Sequence, residues 1–315
     1  MSKYPQTQEI VFEALSTIFA KQRRFQNVGQ KCSHFFQDVV ENYRQFDNLA
    51  EILEDDTSKR ILIWAIQYRI AVYFFCDKKI AGELFPPMIG ANQWSNYVRD
   101  SKELDVRDLK LQLDVDVVEN WILNGYVYPG VCEICDDDIV LDCGAFNGNS
   151  SLSLARQCDD GGRVYAFEPN PSVFNILKDN IESYSQQNIY PVNLGVSESK
   201  GKIRFRSAGA ASNFDPNGNI EVDTISIDEF VEEHQLEKID FLKFDVEGSE
   251  LNALKGATKT IRKYRPKIAI SVYHLHQDLW LLTSYILKLC SWYKVYLKHN
   301  AVHDGEIVLF AVPIK

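Results

Sequence analysis

The sequence predicts an α/β fold: a mostly parallel sheet, closed by an antiparallel C-terminal hairpin and preceded by a helical N-terminal region. Three observations predict it. Short apolar runs alternate with amphipathic stretches from Tyr128-Pro129-Gly130 onward. Apolar residues recur at helical spacing before that point, and two strand-like runs flank Asp304-Gly305 at the end. Strands alternating with helices imply a parallel sheet covered on both faces. Two domains are expected, residues 1–130 and 131–315.

In the first domain, Val11, Leu15, Ile18 and Phe19 share one helical stripe, as do Phe35, Val39 and Tyr43. Asp55-Asp56-Thr57 offers N-caps for a helix through Ile61–Phe75. That run contains Gln67 and Arg69 and is shorter than the ~20 apolar residues of a membrane span, so a buried helix is expected. A further helix is expected over Val106–Leu123. Phe85-Pro86-Pro87 and Gly90–Tyr97 read as loop, in which Gln93, Trp94 and Tyr97 could stack on a sugar ring. In the second domain the expected strands are Ile139–Cys143, Val164–Phe167, Ile189–Asn193, Ile239–Phe244, Lys267–Tyr273, Lys294–Lys298 and Glu306–Val312. Helices are expected at Ser150–Gln157 and Pro171–Tyr184, and Gly201–Phe230 reads as an insertion that adds strands or a flap.

Composition narrows the function. The 315 residues carry 34 Lys+Arg against 44 Asp+Glu, a net charge of −10. Binding a phosphate backbone needs a basic stripe, and none is present, so no nucleic-acid partner is expected. No apolar signal segment opens the chain, and seven scattered cysteines fit a reducing cytoplasm. Cys132-Glu133-Ile134-Cys135 lacks the second pair that structural zinc needs, and Asp136-Asp137-Asp138 reads as a solvated lead-in.

Asp142-Cys143-Gly144-Ala145-Phe146-Asn147-Gly148 follows the first strand and opens the first helix. Ligands of open α/β sheets bind beyond such strand ends. The spacing is neither G-x-G-x-x-G nor a P-loop, so the expected ligand lacks a pyrophosphate and offers Asp142 an amino or sulfonium group. Glu168 ends the second strand, 20 residues after Gly148, in Phe167-Glu168-Pro169-Asn170-Pro171. A carboxylate there can accept from both hydroxyls of a ribose.

These two motifs resemble motifs I and II of the class I S-adenosylmethionine-dependent methyltransferases. Together with Phe241–Glu250 and Ala269–His274 they resemble the FkbM family over about residues 131–315. The Asp-Val-Glu-Gly-Ser-Glu stretch at 245–250 is the specific part. The resemblance implies a Rossmann-like fold and O-methylation of sugars, glycans or natural products such as polyketides. It implies S-adenosylmethionine bound by Asp142, Gly144, Ala145, Gly148, Glu168, Pro169 and Asn170. It also implies a strand order that sets Asp142, Asp245 and His274 side by side, since neighbouring strands lie ~5 Å apart.

Asp245, Glu247, His274 and Lys243 are the candidate catalytic residues. Methyl transfer to a hydroxyl needs an in-line arrangement and removal of one proton. A carboxylate or His274 can take that proton; a divalent cation held by carboxylates could instead acidify the hydroxyl. No metal ligand is assigned, because an imidazole at 274 fits a proton acceptor better than a hard cation. Glu247 is expected in the first turn of the next helix, where the dipole favours it; Glu250 is expected to be structural. Lys243, inside a central strand, is either half of a buried ion pair or a group orienting Asp245 or the incoming hydroxyl. His276, two residues beyond His274, and His299 and His303 near the last turn are weaker candidates. A nucleobase methyltransferase would carry Asn/Asp/Ser-Pro-Pro-aromatic where Asp245-Val246-Glu247-Gly248 stands. A non-catalytic cofactor-binding scaffold remains the alternative. The expected role of residues 1–130 is to shape the acceptor pocket or to mediate a homodimer.

Overall fold

The computed structural model describes residues 4–20, 30–104, 114–158, 161–184, 188–206, 213–214 and 217–314. The chain forms two compact units. The first comprises Met1–Ser95, Val272–Tyr285 and Lys294–Leu309; the second comprises Asn96–Ser271, Ile286–Tyr293 and Phe310–Lys315. Tyr128-Pro129-Gly130, where the sequence pattern changes, falls inside the second unit.

The first unit is built on helices Thr7–Ala20, Gln30–Glu41, Tyr43–Ile52, Asp56–Phe75 and Lys78–Leu84. Asp55 caps the long helix, accepting from the backbone N–H of Ser58 at 2.6 Å. Ile61, Trp64, Ile66, Tyr68, Ile70 and Phe75 are all buried, so this helix is packed on all sides. No helix among the described residues is long and apolar enough to cross a membrane. Ser58 ties the helix to strand residue Leu297, whose N–H donates to its Oγ at 2.8 Å.

The strands are β1 Ile139–Cys143, β2 Arg163–Phe167, β3 Ile189–Val192, β4 Gly195–Val196, β5 Gly201–Arg206, β6 Asn213–Phe214, β7 Ile220–Ile225, β8 Phe241–Phe244, β9 Lys267–Ser271, β10 Tyr293–His299 and β11 Ile307–Pro313. Seven form one sheet in the order β10-β11-β9-β8-β1-β2-β3. β1 pairs in parallel with both β2 and β8, and β9 pairs in parallel with β8. The last two strands form the expected antiparallel hairpin. Every residue of β1 and β8 is buried, as a sheet covered on both faces requires, Asp142 and Lys243 included. The Gly201–Phe230 insertion contributes to a second sheet, β4-β7-β5-β6. Most of its Gly209–Asn219 loop lies outside the described residues.

Four expectations change. Gly90–Tyr97 is not a loop: a helix runs over Ala91–Ser101. Trp94, Tyr97, Val98 and Ser101 form its less exposed stripe, a helical spacing hidden among polar neighbours. The helix expected over Val106–Leu123 is seen as Asp114–Val117 followed by a π-helical turn, Val118–Ile122; residues 105–113 lie outside the description. Asp138 is buried rather than solvated, because its carboxylate accepts from the N–H of Cys135 at 2.9 Å. Glu247 precedes the helix Glu250–Gly256 instead of sitting in its first turn.

Candidate functional site

The chain runs from β1 outward through β2 to β3, then returns to place β8 and β9 on the other side of β1. The carboxyl end of β1 is therefore the topological switch point, the place where open α/β sheets bind ligands. Three segments leave the sheet there, after β1, β2 and β8.

The segment after β1 is held tightly by the protein itself. The N–H groups of Gly144 and Ala145 both donate to the carbonyl of Phe167, at 3.1 and 2.8 Å. Gly144 has φ +93°, and a Cβ there would stand 1.8 Å from the carbonyl oxygen of Asp245. The glycine thus admits the backbone leaving β8. Gly148, φ +88°, opens the helix Asn149–Ala155, and a Cβ there would meet Leu177 at 2.7 Å. Asp142 is fully buried. Its Oδ2 accepts from Ser150 Oγ at 2.8 Å and Ser151 Oγ at 2.6 Å, and its Oδ1 pairs with Lys243 Nζ at 2.8 Å. A ligand amino or sulfonium group, the expected partner of Asp142, would compete with three protein donors.

Lys243 is the other half of that pair. Its Nζ also donates to the carbonyl of Gly144 at 2.6 Å. Burial opposes its charge, but the carboxylates of Asp142 and Asp245 hold the ammonium above its ordinary value. Of the two readings open for Lys243, the geometry displays the buried ion pair, which also braces the glycine loop.

Glu168 lies at the end of β2, 6% exposed. Its Oε1 accepts from the N–H of Asn170 at 2.7 Å. Burial pushes its carboxyl up to about 7, against the lowering effect of the Asn170 and Phe146 backbone N–H groups. Asn170 caps the helix Pro171–Ser183 by accepting from the N–H of Ser172, with Pro171 at the first helical position. Asn193 Nδ2 donates to the carbonyls of Glu168, at 2.8 Å, and Pro169, at 3.2 Å. Glu168 is therefore held rigidly while its carboxyl carries an uncommonly high proton affinity.

The segment after β8 is more open: Asp245 through Ser249 are half-buried. Asp245 accepts at Oδ2 from the hydroxyl of Tyr126, at 2.7 Å. Glu247 and Gly248 are consecutive left-handed residues, φ +54° and +93°. That turn delays the helix and presents Glu247 ahead of it. A non-glycine residue in this region is strained by about 1 kcal/mol or more, a feature that clusters at functional sites. Glu250, 1% exposed, accepts at Oε1 from the N–H of Val246 at 2.9 Å and closes the turn from inside.

His274, His276, His299 and His303 belong to the first unit. His274 follows β9 by three residues and is half-buried, its ring 4.2 Å from that of Tyr273. His276 is exposed and stacks on His34 at 5.8 Å. His299 is buried against Trp64, donates from Nε2 to the carbonyl of His303 at 2.6 Å, and is pushed down to about 4 by burial. It stays neutral and occupied at neutral pH. Cys132 and Cys135 are both free thiols, one buried and one exposed.

Sequence reasoning missed three participants. Ser150 and Ser151 sit directly after the glycine loop, and their adjacency to Asp142 was a readable signal. Tyr126 meets Asp245 across 119 residues, and nothing local marks it.

A mostly parallel sheet with a switch point flanked by a buried carboxylate and an open acidic turn defines a Rossmann-like class I architecture. The FkbM methyltransferase domain pattern matches residues 142–299, just over half of the chain, and the chain belongs to that family. It is 34% identical over 131 residues to the hexuronic acid methyltransferase AglP of Haloferax volcanii, covering 40% of this chain and 53% of that protein. It is 24% identical over 151 residues to the 2-O-methyltransferase NoeI of Sinorhizobium fredii, covering 41% of this chain and 61% of that protein. The chain thus spans between half and two thirds of these relatives. The crystal structure of an FkbM methyltransferase from Methylobacillus flagellatus superposes with a TM-score of 0.62 at 24% identity, over 87% of this chain and 60% of that one. This last likeness is one of fold.

Proposed function

We propose that the protein is an S-adenosylmethionine-dependent O-methyltransferase acting on a hydroxyl of a sugar or glycan, of the hexuronic acid class. The observation that carries the cofactor assignment is Glu168, a buried carboxylate fixed at the end of β2 beside the switch point. Ribose hydroxyls are neutral donors, and a carboxyl with a raised proton affinity suits them better than it suits a cation. The residues fit the cofactor at that end. Asp142 supports it indirectly, by locking the glycine loop, rather than by facing it. The acceptor class follows the relatives, one named for hexuronic acid and the other for 2-O-methylation.

When bound, S-adenosylmethionine supplies a methyl group activated by its sulfonium. The chain's residues hold the acceptor and move its proton. Asp245 and Glu247, on an open turn, offer carboxylate oxygens that accept hydrogen bonds from sugar hydroxyls and favour positive charge nearby. His274 follows β9 by three residues, and Asp245 follows β8 directly. A neutral imidazole nitrogen of His274 takes the proton from the acceptor oxygen as the new bond forms. This reading needs no divalent cation.

The test is transfer of isotopically labelled methyl from S-adenosylmethionine to hexuronic acid glycosides, read by product mass. Labelled O-methyl product that persists after exhaustive EDTA treatment is expected. Equal thermal stabilisation by NAD and S-adenosylhomocysteine would overturn the cofactor assignment. Loss of activity to chelator, restored by magnesium or manganese, would overturn the metal-free mechanism. His274→Ala should lower turnover by ~10²–10⁴-fold and leave cofactor affinity unchanged.

A further inference from the structure

Tyr126 stands sixteen residues before the family-matched stretch, yet it reaches the exit of β8. Its hydroxyl donates to Asp245 Oδ2 at 2.7 Å and lies 3.5 Å from Ser271 Oγ at the end of β9. Its ring faces the Lys243 ammonium, 4.7 Å from the centroid. Lys243 in turn holds Asp142 and the carbonyl of Gly144. Tyr126 is 7% exposed. Its backbone is pinned on both sides, Gly125 N–H donating to Glu119 at 2.7 Å and Val127 N–H to Asn124 at 2.8 Å. One phenol therefore touches side chains carried at or beyond the ends of β8 and β9, and packs on the cation that braces the loop after β1.

We infer that Tyr126 is a positioning residue: its phenol aims the Asp245 carboxylate, while the Lys243–ring contact ties that aim to the glycine loop. A phenol titrates near 10, so at neutral pH it can only donate to a carboxylate. Such a charge-assisted bond fixes one oxygen and leaves the carboxylate's other lone pairs directed elsewhere. The cation beneath the ring restrains the ring plane, and with it the direction of the O–H. Within its own unit the charged and titratable groups near Asp245 are Lys243 on the strand it follows, Asp142 on β1, Tyr126, and Glu247 and Glu250 on the following turn and helix. The catalytic consequence rests on the proposed methyl transfer; the effect on Asp245 does not.

The experiment is carbon-13 NMR of the aspartate carboxyls in the full chain, with Asp245→Asn assigning the resonance. Tyr126→Phe should shift the Asp245 carboxyl resonance, because one of its oxygens loses its donor. Binding of S-adenosylhomocysteine, measured by calorimetry, should stay within twofold. An Asp245 carboxyl resonance that does not move in Tyr126→Phe would overturn the assignment. If that variant does not fold, tyrosine ring labelling in Asp245→Asn gives the same answer: the Tyr126 Cζ resonance shifts if the bond exists, and an unshifted resonance overturns it. With labelled S-adenosylmethionine and a hexuronic acid glycoside, Tyr126→Phe should lower kcat about tenfold at unchanged KM. A shifted Asp245 resonance in a protein that methylates no glycoside would sink the functional reading and leave the Tyr126 assignment standing.

Discussion

The loops after β1 and β8 leave adjacent strands at one sheet edge, and their polar groups are spent in opposite ways. After β1, Asp142 has its oxygens occupied by Ser150, Ser151 and Lys243, and Gly144 is wedged against the backbone of Asp245. After β8, Asp245 and Glu247 stand half-buried on a left-handed turn, steadied by Tyr126 and Glu250. The first loop is made rigid by satisfying its charges internally. The second leaves its carboxylates half-buried. An acidic residue in a glycine motif is thus no evidence of ligand contact by itself: a fully buried ion pair fixes the loop's shape.

The comparison can be broken most severely at Gly144. Gly144→Ala would drive a Cβ into the Asp245 carbonyl at a positive φ, and a loss of more than about 4 kcal/mol is expected. Denaturant unfolding of the purified variant measures it; a near-normal midpoint would mean that the two loops are not wedged together. Next comes Lys243→Met, which strands the buried Asp142 carboxylate. Breaking one side of such a pair costs about 3–5 kcal/mol. Lys243→Met combined with Asp142→Leu should recover much of that loss, and failure to recover would point to a role for Lys243 beyond the pair.

Glu168→Ala addresses the ligand side. Removing charge-assisted bonds of about 1.5–3 kcal/mol each should weaken S-adenosylhomocysteine binding at least tenfold by calorimetry, with circular dichroism unchanged. The same carboxyl also sets how stability depends on pH. The Glu168 carboxyl is raised from 4.5 to about 7 in the folded protein, so the folded state binds its proton more tightly than the unfolded state does. The stability this contributes is complete below about pH 4.5 and is lost as pH rises through about 7, on the order of 3 kcal/mol in all. Glu168→Gln should therefore raise the ligand-free melting temperature relative to the parent at pH 8 and give no advantage at pH 4.5. An equal difference at both pH values would show that Glu168 is not titrating in that window.

The parallel sheet was readable from the alternation of apolar runs with helical stripes, because strands buried on both faces admit almost nothing but apolar side chains. Asp55 as an N-cap and Asn170-Pro171 as a helix start were local chemistry, readable from a few neighbouring residues. The helix at Ala91–Ser101 was missed because its stripe of Trp94, Tyr97 and Val98 is sparse among Asn, Gln and Ser. Glu247 was misplaced because a left-handed turn at a non-glycine residue is imposed by its surroundings rather than by its own preference.

The amino-acid sequence by itself determined the strands of the main sheet, the glycine loop at 144–148 and the carboxylates at 168 and 245, since these depend on periodicity and on side-chain identity at strand ends. Only the tertiary structure decided how those charges are shared. It paired Asp142 with Lys243 across β1 and β8, gave Glu168 its raised proton affinity through burial, and brought Tyr126 to Asp245. Each of these turns on distance and desolvation between residues far apart in the chain, and Coulomb and hydrogen-bond energies depend on separation in space, which linear spacing does not encode.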